Sequence, residues 1–305
     1  MCGLWPKKIG NVNLDFSVYT GNDCYSDGSV EDELLAIVKQ GKEKEALEKD
    51  NRWPVFYHLS PMRKNLLSWY PFENNAEVLE IGMGCGAVTA SFADKVKSVD
   101  GVELSARRAQ IAAWKNKDFS NVCIHVGNLN DMRFSKQFDY VTLIGVLEYA
   151  GSFTAGDKPY LSFIDKCKSF LKTNGTLIIA IENRLGMKYF SGAAEDHTGN
   201  RFDGIIGYSG ITNVKTFSKP GLTKLLNKAG LSELEWYYPH PDYKIPMEIF
   251  SDYDNCELKL RYPMYSFDRD RIELFSEQLA FESVAADGLL GIFANSFLVF
   301  ARKKD

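Results

Sequence analysis

The residues Glu80-Ile81-Gly82-Met83-Gly84-Cys85-Gly86 concentrate the chemistry that this sequence offers. They follow the short apolar run Val78-Leu79-Glu80-Ile81 and precede a segment, 87–95, that reads as a helix. Glycines between a strand and a helix let backbone come close to a ligand. The helix N-terminus adds partial positive charge. Nucleotide-type ligands and amino-acid carboxylates both exploit that arrangement. Glu103 stands about 20 residues on, where a ribose-binding carboxylate is expected. Its two oxygens match two ribose hydroxyl donors.

Two ligand classes fit this loop. Gly82-x-Gly84-x-x-Ala87 satisfies a dinucleotide fingerprint, so an NAD-dependent oxidoreductase is one reading. Three features favour another. Glu80 lies two residues before the first glycine, where a carboxylate suits a ligand with a positive amino group and would repel a pyrophosphate. A third glycine falls at Gly86. Further on come Leu143-Ile144-Gly145-Val146-Leu147-Glu148-Tyr149 and Phe170-Leu171-Lys172-Thr173-Asn174-Gly175.

These residues need a scaffold, and the pattern supplies one. Strands are expected over 78–81, 99–103, 122–126, 139–144 and 176–181, with helices over 87–95, 105–117 and 160–171 between them. Strands alternating with helices predict a parallel sheet. The near-continuous apolar run of 139–144 suits a strand covered on both faces. A helix over 221–229, closed by Gly230, precedes strands over 233–238 and 295–302. The first 75 residues read as a helical extension or cap. One helix begins near Ser29, and another is capped by Ser60 with Pro61 in its first turn. Residues 76–305 then form the main domain, with two long insertions at about 184–215 and about 240–291 that suit lids or added subdomains.

The stretch from Val78 to Asn183 resembles the class I S-adenosylmethionine-dependent methyltransferases. Val-Leu-Glu-Ile-Gly-x-Gly-x-Gly is similar to their first motif and Val99 to Glu103 to their second. Residues 138–149 resemble the fourth-strand motif, and 171–181 the entry to strand five, with Asn174 in the place of the usual proline. The resemblance implies an α/β, Rossmann-like seven-stranded sheet, mostly parallel with an antiparallel last strand, and S-adenosylmethionine as cofactor. It implies that Gly82, Gly84 and Gly86 pass the methionine part and that Glu80 receives its amino group. Glu103 would hold the ribose, Asn128 and the backbone of Leu129 the adenine, and Gly145 would let the sulfonium approach backbone. Tyr149 would shape the acceptor pocket.

Methyl transfer is an in-line displacement that needs alignment and exclusion of water, and a hydroxyl acceptor benefits from a general base. Glu195-Asp196-His197 offers one: His197 as base, oriented by Asp196 or Glu195. His58 is a second candidate, better read as a core or capping histidine. His125 reads as structural. Arg184 and Lys188 would suit a phosphate on the acceptor. Trp236, Tyr237, Tyr238 and Tyr243 would stack on sugars or, more simply, pack within the sheet.

The segments 57–61, 180–186, 195–199 and 238–244 resemble methyltransferases found with bacterial surface-polysaccharide glycosyltransferases. This implies a small-molecule or glycan acceptor, best a saccharide hydroxyl, and association with glycosyltransferases. A non-catalytic cofactor-binding domain accompanying such enzymes is the alternative. The net charge of −4 gives no footprint for nucleic acid. No apolar run approaches the roughly 20 residues of a membrane span, and no signal peptide is read, so the cytoplasm is expected. Cys2, Cys24, Cys85, Cys123, Cys167 and Cys256 are scattered without histidines at zinc spacing, so reduced thiols and no metal site are expected.

Overall fold

The structure is a computed structural model and describes residues 5–21, 23, 26–210, 213–253, 258–262 and 271–303. Cys2, Cys24 and Cys256 lie outside the described residues, while Cys85, Cys123 and Cys167 are free thiols. The chain divides into two units, Met1–Thr142 and Leu143–Asp305.

In the first unit the apolar runs form strands β1 (Lys8–Ile9), β2 (Val12–Asp15), β3 (Glu77–Ile81), β4 (Ser98–Glu103) and β5 (Val122–Val126). Strand β6 (Phe138–Ile144) begins in this unit and runs past its boundary. The strand order is β1-β2-β5-β4-β3-β6. Strands β2, β5, β4 and β3 are parallel neighbours. Register aligns Ile81 with Val102 and Glu103 with Val126, so Gly82, Glu103 and Gly127 all emerge at one edge. The carboxyl ends of parallel strands are where such sheets bind ligands.

Four helices accompany these strands: α1 (Val30–Gln40), α2 (Glu43–Lys49), α3 (Trp53–Leu59) and α4 (Ala106–Lys115). Helix α1 carries Glu31, Asp32 and Glu33 in its first turn and ends on left-handed Gly41. Helix α4 is capped by Ser105, whose side chain accepts from the Arg108 amide at 3.3 Å. Leu34, Val38, Val55, Leu59 and Ile111 pack these helices together around Cys85. Buried Arg108 adds ion pairs to Glu31 and Asp27, both at 2.7 Å.

Three expectations for this unit are corrected. Residues 1–75 contribute β1 and β2 as well as helices. The segment 61–66 forms a 3-10 helix, with Ser60 capping it as expected through the Met62 amide. No α-helix forms over 87–95, where only a 3-10 turn appears at Thr89–Ser91. Side chains there compete with helical hydrogen bonding. The Ser91 hydroxyl donates to the Val88 carbonyl, and the Thr89 hydroxyl is drawn to Glu80.

The second unit contains β7 (Leu171–Glu182), β8 (Glu233–His240), β9 (Glu248–Ser251) and β10 (Ser296–Arg302), in the order β7-β10-β8-β9. Its helices are α5 (Ala150–Phe153), α6 (Pro159–Ser169), α7 (Met187–Phe190), α8 (Lys219–Lys228), α9 (Glu277–Ala286) and α10 (Leu290–Phe293). Strand β10 is antiparallel to both β7 and β8, as the expected last strand should be. It is buried from Ser296 to Ala301, so it reads as a continuous apolar run.

The seven strands expected from the sequence are β3 to β8 and β10. With β1, β2 and β9 the described residues form ten, which corrects the count of seven. Both insertions carry structure of their own. Residues 184–215 include α7 and a bridge between Ala194 and Arg201, and residues 240–291 include β9 and α9. Among the described residues no helix is long and apolar enough to cross a membrane.

Candidate active site

The first unit builds a ligand edge from backbone. Gly82, Gly84 and Gly86 have φ of 68°, 55° and 68°, a region that side chains disfavour. The turn is held by the Gly82 and Met83 amides, which donate to the Val102 carbonyl at 2.9 and 3.1 Å. The glycines divide the work. A Cβ on Gly84 would meet nothing within 4 Å, which leaves its surroundings open. A Cβ on Gly86 would stand 2.6 Å from the Asn116 side chain and 2.9 Å from Ala112, so Gly86 seats the loop on α4. Gly101 leaves room for the Met83 side chain, which a Cβ there would push aside.

Glu103 closes the edge. Its Oε2 accepts from the Gly84 amide and its Oε1 from the Ser105 amide, both at 2.8 Å. Burial raises its pKa, while Arg108 and those two amides pull it down. Glu80 is buried at the end of β3 and accepts from the Thr89 hydroxyl at 2.7 Å. Burial pushes its carboxyl up to about 7, against Thr89 and the Arg63 charge. A solvated strand-end carboxylate is thereby excluded.

The remaining first-unit residues take up specific places. Asn128 follows β5, and its side-chain oxygen accepts from the Asn130 amide at 2.9 Å, which turns the chain; Leu129 is buried beside it. His58 is buried and pairs with Asp27 at 2.9 Å. His125 is held by Asp100 at 2.8 Å and Asp15 at 3.2 Å. Burial lowers its pKa, but these partners outweigh that and hold it at about 10, so it ties β2 and β4 to β5. Two contributors escaped the sequence reading. Asp23 accepts from the Ser105 hydroxyl at 3.0 Å and the Ala106 amide at 2.8 Å, and Val18 lies against Gly127. Both come from a loop in which no local pattern marks them.

The second unit builds its site from buried side chains. His197 Nδ1 lies 3.2 Å from Glu195 Oε1. Glu195 is itself fixed by the amides of His197 and Thr198, both at 2.7 Å, and by the Tyr208 hydroxyl at 3.0 Å. His197 Nε2 faces Glu148 at 3.7 Å and Glu182 at 4.0 Å. Tyr149 meets the His197 ring edge-on, with centroids 5.4 Å apart. A second cluster adjoins the first. Lys244 reaches Glu182 at 2.5 Å and Asp196 at 2.6 Å, while Lys188 reaches Asp196 at 2.8 Å and Asp242 at 3.4 Å.

This geometry revises several expected roles. Glu195 orients the imidazole, because Asp196 is occupied by Lys188, Lys244 and the Tyr189 hydroxyl. Burial alone would lower the His197 pKa, but Glu148, Glu182 and Glu195 overcome it and hold the ring up at about 11. Those carboxylates favour the protonated ring over a free base at Nε2. Lys188 is consumed by its ion pairs, and Arg184 braces the carbonyls of Gly204 and Ile205 at 2.8 and 3.3 Å. Gly145 has φ 69°, and a Cβ there would stand 2.7 Å from the Tyr243 hydroxyl. Trp236, Tyr238 and Tyr243 are buried; Trp236 packs edge-on against Phe297, and the half-buried Tyr237 against Phe300. Packing explains these aromatics without a sugar.

Glu148, Glu182 and Lys244 were not singled out as site residues. Glu148 and Glu182 each stand at the end of an apolar run, as in Ile178-Ile179-Ala180-Ile181-Glu182, and Lys244 carries no such signal.

Residues 79–177 match the family model described as a methyltransferase domain. This region, about a third of the chain, holds the glycine loop and Glu103. That match supports methyltransferase activity with S-adenosylmethionine as the methyl donor. No curated protein matches the sequence. Among solved structures, it is similar to a phosphoethanolamine N-methyltransferase from Haemonchus contortus, with 11% identity, TM-score 0.49, and coverage of 90% of this chain and 50% of that one. A Thermotoga maritima S-adenosylmethionine-dependent methyltransferase shows 18% identity and TM-score 0.46, covering 89% of this chain and 99% of that one. The N-methyltransferase NodS of Bradyrhizobium japonicum shows 16% identity and TM-score 0.45, covering 84% and 99%. None of these likenesses bears on the acceptor.

Proposed function

We propose that the chain methylates a hydroxyl of a saccharide or glycan precursor. In this reading Glu80, Gly82, Gly84, Glu103, Asn128 and Leu129 hold S-adenosylmethionine, with Gly86 seating their loop. Glu80 receives the amino group and Glu103 the ribose, each through a carboxylate lone pair that its protein partners leave over. Gly145 and Tyr149 border the acceptor chemistry, and Glu148 is the general base. Glu148 is buried, its Oε2 has no hydrogen-bond partner, and burial next to Glu182 raises its pKa, which makes the carboxylate a stronger base. The hydroxyl proton passes to Glu148 as oxygen bonds to the methyl carbon. The carbon–sulfur bond breaks with its pair on sulfur, leaving S-adenosylhomocysteine. His197, charged and held by Glu195, fixes the Glu148 carboxylate electrostatically.

One observation carries this reading. The segments 180–186, 195–199 and 238–244, which resemble methyltransferases associated with surface-polysaccharide glycosyltransferases, supply Glu182, then Glu195, Asp196 and His197, then Asp242 and Lys244 to one buried network. One site thus draws on three segments that are distant in the sequence. The same resemblance supports a cytoplasmic chain working beside glycosyltransferases. Incubation with methyl-labelled S-adenosylmethionine and a panel of free sugars, nucleotide sugars and amines tests the reading. Label recovered in an alkali-stable methyl ether of a sugar is expected. Label confined to amines overturns the saccharide assignment.

A further inference from the structure

His197 differs from the other clustered histidine in one respect. Both ring nitrogens of His125 are closed by hydrogen bonds to Asp15 and Asp100. In His197 only Nδ1 is engaged, by Glu195 at 3.2 Å. Its Nε2 points at two carboxylates, Glu148 Oε1 at 3.7 Å and Glu182 Oε2 at 4.0 Å, both too far for a hydrogen bond. Glu148 and Glu182 are 1% and 0% exposed, and neither Glu148 Oε2 nor Glu182 Oε2 has a hydrogen-bond partner. Burying two such carboxylates is costly unless something positive satisfies them. Lys244, which also pairs with Asp196, reaches Glu182 at Oε1, as an ion pair off hydrogen-bond geometry.

We propose that Glu148, Glu182 and His197 bind a divalent first-row metal ion. One ligand atom from each lies within 4.8 Å of the others. Ligands about 2.1 Å from one ion at tetrahedral to trigonal angles stand about 3.4 to 3.6 Å apart, so small side-chain movements close the shell. The ion would take the place of the His197 Nε2 proton, which binding releases, and the rest of the surroundings match those of a metal-binding histidine. Glu195 holds the distal ring nitrogen, and Tyr208 and two amides hold Glu195. Carboxylates outnumber cations here even with the His197 imidazolium counted: Glu148, Glu182, Glu195, Asp196 and Asp242 face Lys188, Lys244 and His197. Three protein ligands leave positions open for oxygen donors. Mixed imidazole and carboxylate ligation suits Zn²⁺ or Mn²⁺. The site stands without the saccharide reading; with it, Glu148 would engage the ion through Oε1 and keep Oε2 for the acceptor proton, while the open positions would take the acceptor oxygen.

The test is titration of the chelator-stripped full chain with Co²⁺, followed by visible absorption and proton NMR. Saturation at one equivalent is expected, with a visible ligand-field band and one hyperfine-shifted imidazole N–H, that of His197. Zn²⁺ should bleach the band. Glu148→Gln and His197→Ala should each weaken binding by about tenfold or more, and Glu195→Gln by about ten- to a hundredfold. Absence of saturable binding to the wild-type chain overturns the proposal, as does unchanged Co²⁺ affinity in folded Glu148→Gln and His197→Ala. Should those variants fail to fold, the wild-type imidazole signal decides alone, and its absence overturns the site. These readouts involve no methyl transfer, so an error in the acceptor assignment leaves them untouched.

Discussion

The two units solve the problem of a polar site in different ways. In the first, backbone does the work: three glycines at positive φ and the amides of Gly84 and Ser105 frame Glu103. In the second, side chains do it: carboxylates and cations from four separated segments neutralise one another around His197 and Asp196. A backbone-made site depends on strand ends and turn geometry, and it forms wherever those are correct. A side-chain-made site depends on burying charge in matched numbers, so each member needs the others.

Where charges are buried in matched numbers, in either unit, losing one member is costly. Arg108→Met removes the cation from buried Glu31 and from the exposed Asp27, and Lys244→Met removes it from buried Glu182 and from Asp196. Each should lower stability by about 3–5 kcal/mol in chemical denaturation. Restoring balance with Lys244→Met plus Glu182→Gln should recover part of the loss. If the double variant is no more stable than Lys244→Met, the second site is not the mutually dependent network described here.

A smaller effect concerns pH in the first unit. With the Glu80 carboxyl at about 7, its charged form is depleted in mild acid. S-adenosylhomocysteine affinity should fall about tenfold between about pH 8 and about pH 6, as the partner of the amino group is lost. Glu80→Gln should flatten that dependence, and an unchanged slope would remove Glu80 from the ligand. The sign for folding is the reverse. Folded Glu80 holds its proton more tightly than the unfolded chain does, so it costs stability as pH rises from 4.5 through about 7.

The same contrast explains what could be read from the sequence. The strands β3 to β7 and the glycine loop were legible because they are local: apolar runs, turn residues and a carboxylate at fixed spacing. The helix expected over 87–95 failed because Thr89 and Ser91 turned their hydroxyls to Glu80 and to backbone. The strand β2 was missed because Val12-Asn13-Leu14-Asp15 is a single alternating turn of pattern that gains meaning only beside β5. In the second unit His197 was visible as a reactive residue type, but its charge state was not. That state is set by Glu148 and Glu182, which lie far from it in the chain and meet it only on folding. The choice of Glu195 over Asp196 as its partner likewise required knowing where Lys188 and Lys244 would fall.

The central claim is that the first unit holds the cofactor while the second serves the acceptor. Calorimetric titration of S-adenosylhomocysteine into Glu103→Gln and Glu148→Gln tests it most directly. Glu103→Gln loses a charge-assisted ribose contact of about 1.5–3 kcal/mol and should bind about ten- to a hundredfold more weakly. Glu148→Gln should bind as the wild type does. Wild-type affinity in Glu103→Gln, or an equal loss in Glu148→Gln, would contradict the account.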